Sequence, residues 1–62
     1  MNEVVRILMD RDDMTKQEAE KHLAYVRQMI EDAVADGDYD LAEQLVASEL
    51  GLEMDYIFDI LD

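Results

Sequence analysis

The chain has 62 residues, a formal net charge of −12 and neither cysteine nor proline. One small domain is expected at this length, and without cysteine it contains no disulfide bridge or thiolate metal site. Half of the residues are hydrophobic, which favours a folded domain over a disordered acidic tail, while the charge disfavours binding to nucleic acid or to an anionic membrane.

The first predicted helix covers residues 3–10. Val4, Val5 and Leu8 are apolar at positions i, i+1 and i+4, and Asn2 precedes them as an N-cap. The polar run that follows should end this helix.

The second predicted helix covers residues 16–36. Thr15 and Glu18 have the spacing of a capping box, and Gly37 supplies the left-handed residue that commonly follows a helix. Between these signals, apolar residues recur at spacings of three and four, which predicts a core-facing stripe. Its members are Ala19, Leu23, Val26, Ile30 and Ala33.

Two further helices are predicted at residues 39–50 and 53–61. Asp38 or Asp40 caps the first of them, and Gly51 ends it. The apolar residues that we expect to face inward are Leu41, Ala42, Leu45 and Val46 in the third helix and Met54, Ile57, Phe58 and Leu61 in the fourth. The sequence thus predicts an all-α fold, a small three- to four-helix bundle that occupies residues 1–62 as one domain.

Residues 43–62 resemble a helix-turn-helix motif. That motif needs a small residue on its first helix, a glycine in the turn four residues later and a branched apolar residue six positions further on. Ala47, Gly51 and Ile57 satisfy this spacing. The other buried positions of the motif correspond to Val46, Leu50, Leu52 and Ile60. The resemblance implies helix-turn-helix packing in the C-terminal half of the chain.

The DNA-reading role of that family does not carry over to this chain. A recognition helix presents basic or amide side chains to bases and phosphates. The corresponding outward positions here hold Glu53, Asp55, Tyr56 and Asp59. Carboxylates repel phosphates, and no Lys or Arg follows Arg27 to offset them. We therefore expect no direct binding to nucleic acid.

All five Lys and Arg residues precede position 28, so the acidic excess lies in the C-terminal half. Asp55, Asp59 and Asp62 fall on one face of the predicted fourth helix. Charges four residues apart on a helix, such as Asp55 and Asp59, are about 6 Å apart along its axis, a distance comparable with that between neighbouring phosphates of one strand. A solvated face that confers solubility is the ordinary interpretation of such a row. Helix C-termini favour cations over acids, which counts against that interpretation and leaves a binding surface as the alternative. Tyr56 is either the anchor of this surface or a packing residue. The predicted protein-binding residues are Asp40, Glu43, Glu49, Glu53, Asp55, Tyr56 and Asp59.

No catalytic motif, cofactor site or metal site is recognisable. His22 is the only histidine, and without a serine or cysteine nucleophile near it we expect a surface side chain. Asp36, Asp38 and Asp40 alternate like the first ligands of an EF-hand loop, but the sixth position of that loop, Leu41, is not the required glycine. We therefore predict that the protein is not an enzyme and binds no cofactor.

In size, acidity and helicity the whole chain resembles small phage and mobile-element proteins of the anti-restriction and anti-CRISPR kind. The resemblance implies an inhibitor or adaptor that docks on a basic surface of another protein, by nucleic-acid mimicry where that protein binds nucleic acid. A homo-oligomeric regulatory or antitoxin-like protein is the alternative, in which a homodimer supplies missing core area. The lack of cysteine and of a long apolar segment favours a cytoplasmic protein.

Overall fold

Helices are the only regular elements of the computed structural model, which describes residues 2–61. The α-helices of this part of the chain are α1 (Glu3–Asp12), α2 (Lys16–Ala35), α3 (Tyr39–Leu45) and α4 (Ile57–Leu61). α3 continues as a π-helical turn, Val46–Leu50, and a 3-10 turn, Met54–Tyr56, leads into α4. The predicted all-α fold class is confirmed.

The predicted N-caps of α1 and α2 are also confirmed. Asn2 Oδ1 accepts a hydrogen bond from the Val4 N–H at 2.7 Å. Thr15 Oγ1 accepts one from the Glu18 N–H at 3.1 Å, and the Thr15 N–H donates to Glu18 Oε1 at 2.9 Å, which completes the capping box. The hydrogen bond from the Thr15 backbone is the main reason that the pKa of the Glu18 carboxyl lies below its ordinary value.

Left-handed residues end α1 and α2. α1 runs past its predicted end until Asp13 adopts a φ of 59°, a conformation that aspartate tolerates better than most residues. After α2, the N–H of Gly37 (φ 75°) donates to Val34 O at 3.0 Å, and the N–H of Asp38 donates to Ala33 O at 2.9 Å. These two bonds form a Schellman motif. Of the two predicted caps of α3, Asp38 is the one that the structure uses.

The core is built around α2, whose 20 residues give it a length of about 30 Å. α1, α3 and α4 each pack against α2, and α4 also contacts α1. Within residues 2–61 the buried side chains are all apolar, and no buried side-chain nitrogen or oxygen lacks a hydrogen-bond partner. The predicted stripe of α2 is buried completely. The buried residues are Val4, Val5, Leu8, Ala19, Leu23, Val26, Ile30, Ala33, Ala42, Val46, Leu50 and Ile60.

The inward faces predicted for the last two helices need correction. Leu41 is 41% exposed, because it lies about 100° around α3 from its buried neighbour Ala42. In α4, Phe58 is 82% and Leu61 37% exposed, and Ile60 is buried instead. Phe58 and Ile60 are two residues apart, so they lie on opposite sides of the helix and cannot both face the core. Packing of α4 against α1 and α2 selects Ile60.

The helix-turn-helix pattern is reproduced only in part. Val46, Leu50 and Ile60 are buried, and Gly51 has a left-handed φ of 64°. Ala47, the position at which the motif brings its second helix close, is exposed. Since α4 packs on α2 and α1, the close helix crossing expected at Ala47 does not form.

Candidate protein-binding surface

The carboxylates predicted to bind a partner are all exposed. They lie on α3 (Asp40, Glu43), on the π-helical turn (Glu49), directly before the 3-10 turn (Glu53), within that turn (Asp55) and on α4 (Asp59). Tyr56 differs from them, because it is half-buried and packs against the core. Tyr56 therefore packs against the core, and its role as an anchor for a partner stays a prediction.

The structure groups part of this surface into two pairs of carboxylates. Asp40 and Glu43, three residues apart on α3, border a shallow depression of about 310 Å³. Asp55 and Asp59, four residues apart, lie on the same side of the last helical segment. Asp62, the third member of the predicted row, lies outside the described residues.

Phe58, a large apolar side chain that was predicted to face inward, is exposed and lies beside the second pair. It is the most exposed of the large hydrophobic side chains that the structure describes. It follows Asp55 by three residues, a spacing that makes the two side chains neighbours on a helix, and it precedes Asp59 directly, which lies about 100° further around the helix. Two signals in the sequence disagreed here, because the amphipathic pattern placed Phe58 inside and the helix-turn-helix spacing placed Ile60 inside, and these residues lie on opposite sides of the helix.

Cations of the N-terminal half bind the end of the π-helical turn. Arg11 donates from Nη2 to Leu50 O at 2.6 Å and from Nη1 to Gly51 O at 3.3 Å. His22 Nε2 lies 3.1 Å from Glu49 O, and since a carbonyl only accepts, Nε2 carries the proton. His22 is a half-buried side chain at the surface, and its bond to the Glu49 backbone is a contact that the sequence did not indicate. These carbonyls have no partner within a helix, and a cation or N–H donor at a helix C-terminus stabilises it.

The last helix receives the same kind of contact from α1 and α2. Arg27 Nε donates to Ile60 O at 2.6 Å, and Asn2 Nδ2 donates to Asp59 O at 2.6 Å. α4 has no basic residue of its own in its last turn. A cation from another helix therefore offsets the cost of an acidic C-terminus, which weakens the sequence argument that these acids must serve binding.

Asp12 orients the Arg11 side chain. The guanidinium donates from Nε to Asp12 Oδ1 at 2.8 Å and from Nη2 to Oδ2 at 2.9 Å. This hydrogen-bonded pair holds the pKa of the Asp12 carboxyl below its ordinary value, so the pair is complete at neutral pH and is lost as the pH falls through that lowered pKa. Gly51 leaves room for the guanidinium, since a Cβ at that position would lie 3.3 Å from Nη1.

Ion pairing in the described residues is confined to α1. Arg6 pairs with Glu3 and Asp10, and Arg11 pairs with Asp12. No carboxylate between positions 28 and 61 takes part in an ion pair with another described residue. The cations that reach the acidic half bind its carbonyl oxygens, so its carboxylates keep their full charge toward solvent.

This arrangement predicts that added salt raises the midpoint of thermal unfolding. Screening weakens repulsion among the exposed carboxylates, since the Debye length falls from about 30 Å at 0.01 M to about 3 Å at 1 M ionic strength. Melting followed by far-UV circular dichroism across that range measures the effect, and NaCl and KCl should act alike. A midpoint that falls with salt would mean that the contacts of Arg6, Arg11 and Arg27 outweigh the repulsion.

Neither a metal site nor a membrane span is found in the described part of the chain. Residues 2–61 contain no group of three or more His, Cys, Asp or Glu side chains arranged to hold a metal ion. None of the helices is long and apolar enough to cross a membrane. Comparison of the chain with models of known protein families, with curated proteins and with solved structures finds no match.

Proposed function

We propose that the protein is a non-enzymatic, acidic protein-binding module that docks its C-terminal half on a basic surface of another protein. The observation that carries this proposal is the exposure of every predicted carboxylate together with the absence of any ion pair at described positions from 28 onward. Side chains that keep their charge toward solvent attract a surface of opposite charge over long distances and set the rate and specificity of association.

An inhibitor or adaptor of the cytoplasm is the role that fits such a module. Nucleic-acid mimicry is its sharper form, in which the target is a protein that itself binds nucleic acid. Asp55 and Asp59 support this form, because positions four residues apart on one side of a helical segment are about 6 Å apart, a distance comparable with that between neighbouring phosphates of one strand. A mimic of this kind loses its partner steeply with salt, and DNA displaces it.

A homo-oligomeric regulatory or antitoxin-like protein is the second candidate. Exposed apolar side chains at Tyr39, Leu41, Phe58 and Leu61 favour it, since they offer surface that a second copy could cover. The charge of −12 on each copy opposes it. An obligate homo-oligomer melts at a temperature that depends on protein concentration, whereas a monomeric module does not.

The proposal is tested by reversing the charge of the pair on the last helical segment. The double variant Asp55→Lys with Asp59→Lys should lose at least about 100-fold in affinity for the partner, because two attractions become repulsions. The fold should persist or become more stable, since both positions are exposed and repulsion falls. Affinity capture at low salt from a lysate of the source cell, with the recovered proteins quantified by mass spectrometry, measures the loss.

A matched control variant tests whether the positions of the reversed charges matter or only the net charge of the protein. The variant Glu20→Lys with Glu31→Lys makes the same change in net charge on exposed positions of α2. It should retain the partner that the first variant loses. Equal losses in both variants would mean that only net charge matters, and full binding by the first variant would remove the proposed surface.

A further inference from the structure

The apolar side chain of Phe58 stays exposed when this chain folds. Its side chain is 82% exposed, on the side of α4 opposite the buried Ile60. A single exposed apolar residue is common on protein surfaces, so exposure alone assigns no role. What distinguishes Phe58 is the chemistry of the helix surface around it.

Phe58 lies between charged and apolar neighbours. Asp55 and Leu61 precede and follow it by three residues, which places each of them about 60° from it around the helix. Asp59 is the next residue in the chain and is also exposed. The outward face of the last segment therefore has an aromatic centre with two carboxylates on one side and the half-exposed Leu61 on the other.

A second copy of the chain is a poor occupant for this face. Two copies would bring together molecules that each carry a charge of −12, with Asp55 and Asp59 of both copies at the contact. Stable dimer interfaces bury at least about 1,200 Å² in total, and one aromatic side chain buries only about 150–250 Å². Nucleic acid and anionic lipid are repelled by the same carboxylates.

Charge complementarity therefore selects another protein. We propose that Phe58 is the anchor of the binding surface and inserts into an apolar pocket rimmed by Lys or Arg, with Asp55 and Asp59 paired to the rim. This inference rests on the proposed function and specifies the partner, because a purely phosphate-binding surface would offer no pocket for an aromatic ring. An aromatic side chain buried in a pocket and surrounded by charged pairs is the usual arrangement of an interface hot spot.

The absence of tryptophan from the chain provides a direct reporter. In the full-length variant Phe58→Trp the single indole is exposed, and its emission moves to shorter wavelength only when position 58 becomes buried. Two synthetic peptides of equal charge serve as probes: an amphipathic Lys/Leu helix, which has an apolar face beside its cations, and a shorter oligolysine, which has none. We expect the emission shift with the Lys/Leu peptide and no shift with oligolysine.

The affinities of variants for the two peptides distinguish the contribution of Phe58 to binding from that of Asp55 and Asp59. Phe58→Ala should weaken binding of the Lys/Leu peptide about 10- to 100-fold and leave oligolysine binding unchanged. Asp55→Asn with Asp59→Asn should weaken binding of both peptides. Tyr25→Ala removes another exposed aromatic side chain, on α2, and should change neither affinity.

The other possible outcomes overturn either the anchor alone or the anchor together with the proposed function. If Phe58→Ala changes neither affinity while the double Asn variant weakens both, the anchor is wrong and the acidic binding surface stands. Failure of both peptides to bind, or binding that the double Asn variant does not affect, would remove the proposed function and the anchor together. If the emission shifts with protein concentration in the absence of peptide, a second copy of the chain buries position 58. That result would overturn the proposal that Phe58 anchors a different protein.

Discussion

Replacement of Ile60 by alanine is expected to lower the free energy of unfolding by about 2–5 kcal/mol, a large share of the stability of a 62-residue domain. Ile60 is fully buried, and it is the only buried residue of α4. The substitution leaves a cavity where α4 meets α2 and α1, and so short a helix cannot close it by shifting without losing its other contacts. Urea denaturation followed by far-UV circular dichroism measures the loss.

Phe58→Ala is the matched control for that substitution. It removes a larger side chain from the same helix, but from a position that is 82% exposed, so the cost should stay within about 0.5 kcal/mol. A reversed order, with Phe58→Ala the more costly change, would mean that α4 docks through the face predicted from Met54, Ile57, Phe58 and Leu61. Comparison of the two variants thus shows which face of α4 packs against the core.

The sequence predicts what neighbouring residues determine. The capping box at Thr15, the cap at Asn2 and the left-handed Gly37 depend on contacts within a few residues, and all of them are found as predicted. The stripe of α2 is equally clear, because 20 residues contain enough turns for its period to stand out.

The register of α4 is not determined locally. Two apolar stripes compete in this segment, one through Phe58 and Leu61 and one through Ile60, and both include Ile57. Five residues are too few for the helical period to decide between them. The choice is made by the contacts of α4 with α1 and α2, which lie far away in the sequence.

The charged residues of the candidate surface were predictable from the sequence, whereas its aromatic centre, Phe58, was not. The reason is again the register of α4. Exposure of Asp55 and Asp59 follows from the cost of burying a carboxylate, whatever the register of the helix. The outward position of Phe58 and the inward packing of Tyr56 depend on the register. The role of Arg11 and Arg27 also escaped prediction, since their carbonyl partners are 33 to 40 residues away and nothing local distinguishes them from Lys16 or Lys21.

Those long-range contacts hold the two halves of the chain together, although the halves differ strongly in charge. The first half supplies the cations, and it directs them to the helix ends of the second half, where carbonyl oxygens have no partner of their own. The carboxylates of the second half are left unpaired within the described residues. Of the two arginines that make these contacts, Arg11 also pairs with a carboxylate, but that carboxylate is Asp12 of its own half.

Arg11→Met is therefore expected to destabilise the protein by about 1–2 kcal/mol, less than a buried charged hydrogen bond would because the side chain is 42% exposed. The change removes the hydrogen bonds to the carbonyls of Leu50 and Gly51 together with the pair to Asp12, and it keeps a side chain of similar length. Lys21→Met removes the same charge from an exposed position of α2 and should cost no more than about 0.5 kcal/mol. Urea denaturation of both variants gives the two values.

Hydrogen exchange shows where the stability is lost. The amides of Gly51 and Leu52 donate to Ala47 O at 3.0 Å and to Val46 O at 3.3 Å, so they report on the π-helical turn directly. Their exchange should accelerate in Arg11→Met, while amides in the middle of α2 exchange at rates set by global stability alone. Arg11→Lys keeps the charge but not the planar fork, and its effect should be intermediate. If Arg11→Met and Lys21→Met prove equally costly, Arg11 acts through net charge, and the cap on the π-helical turn contributes nothing to stability.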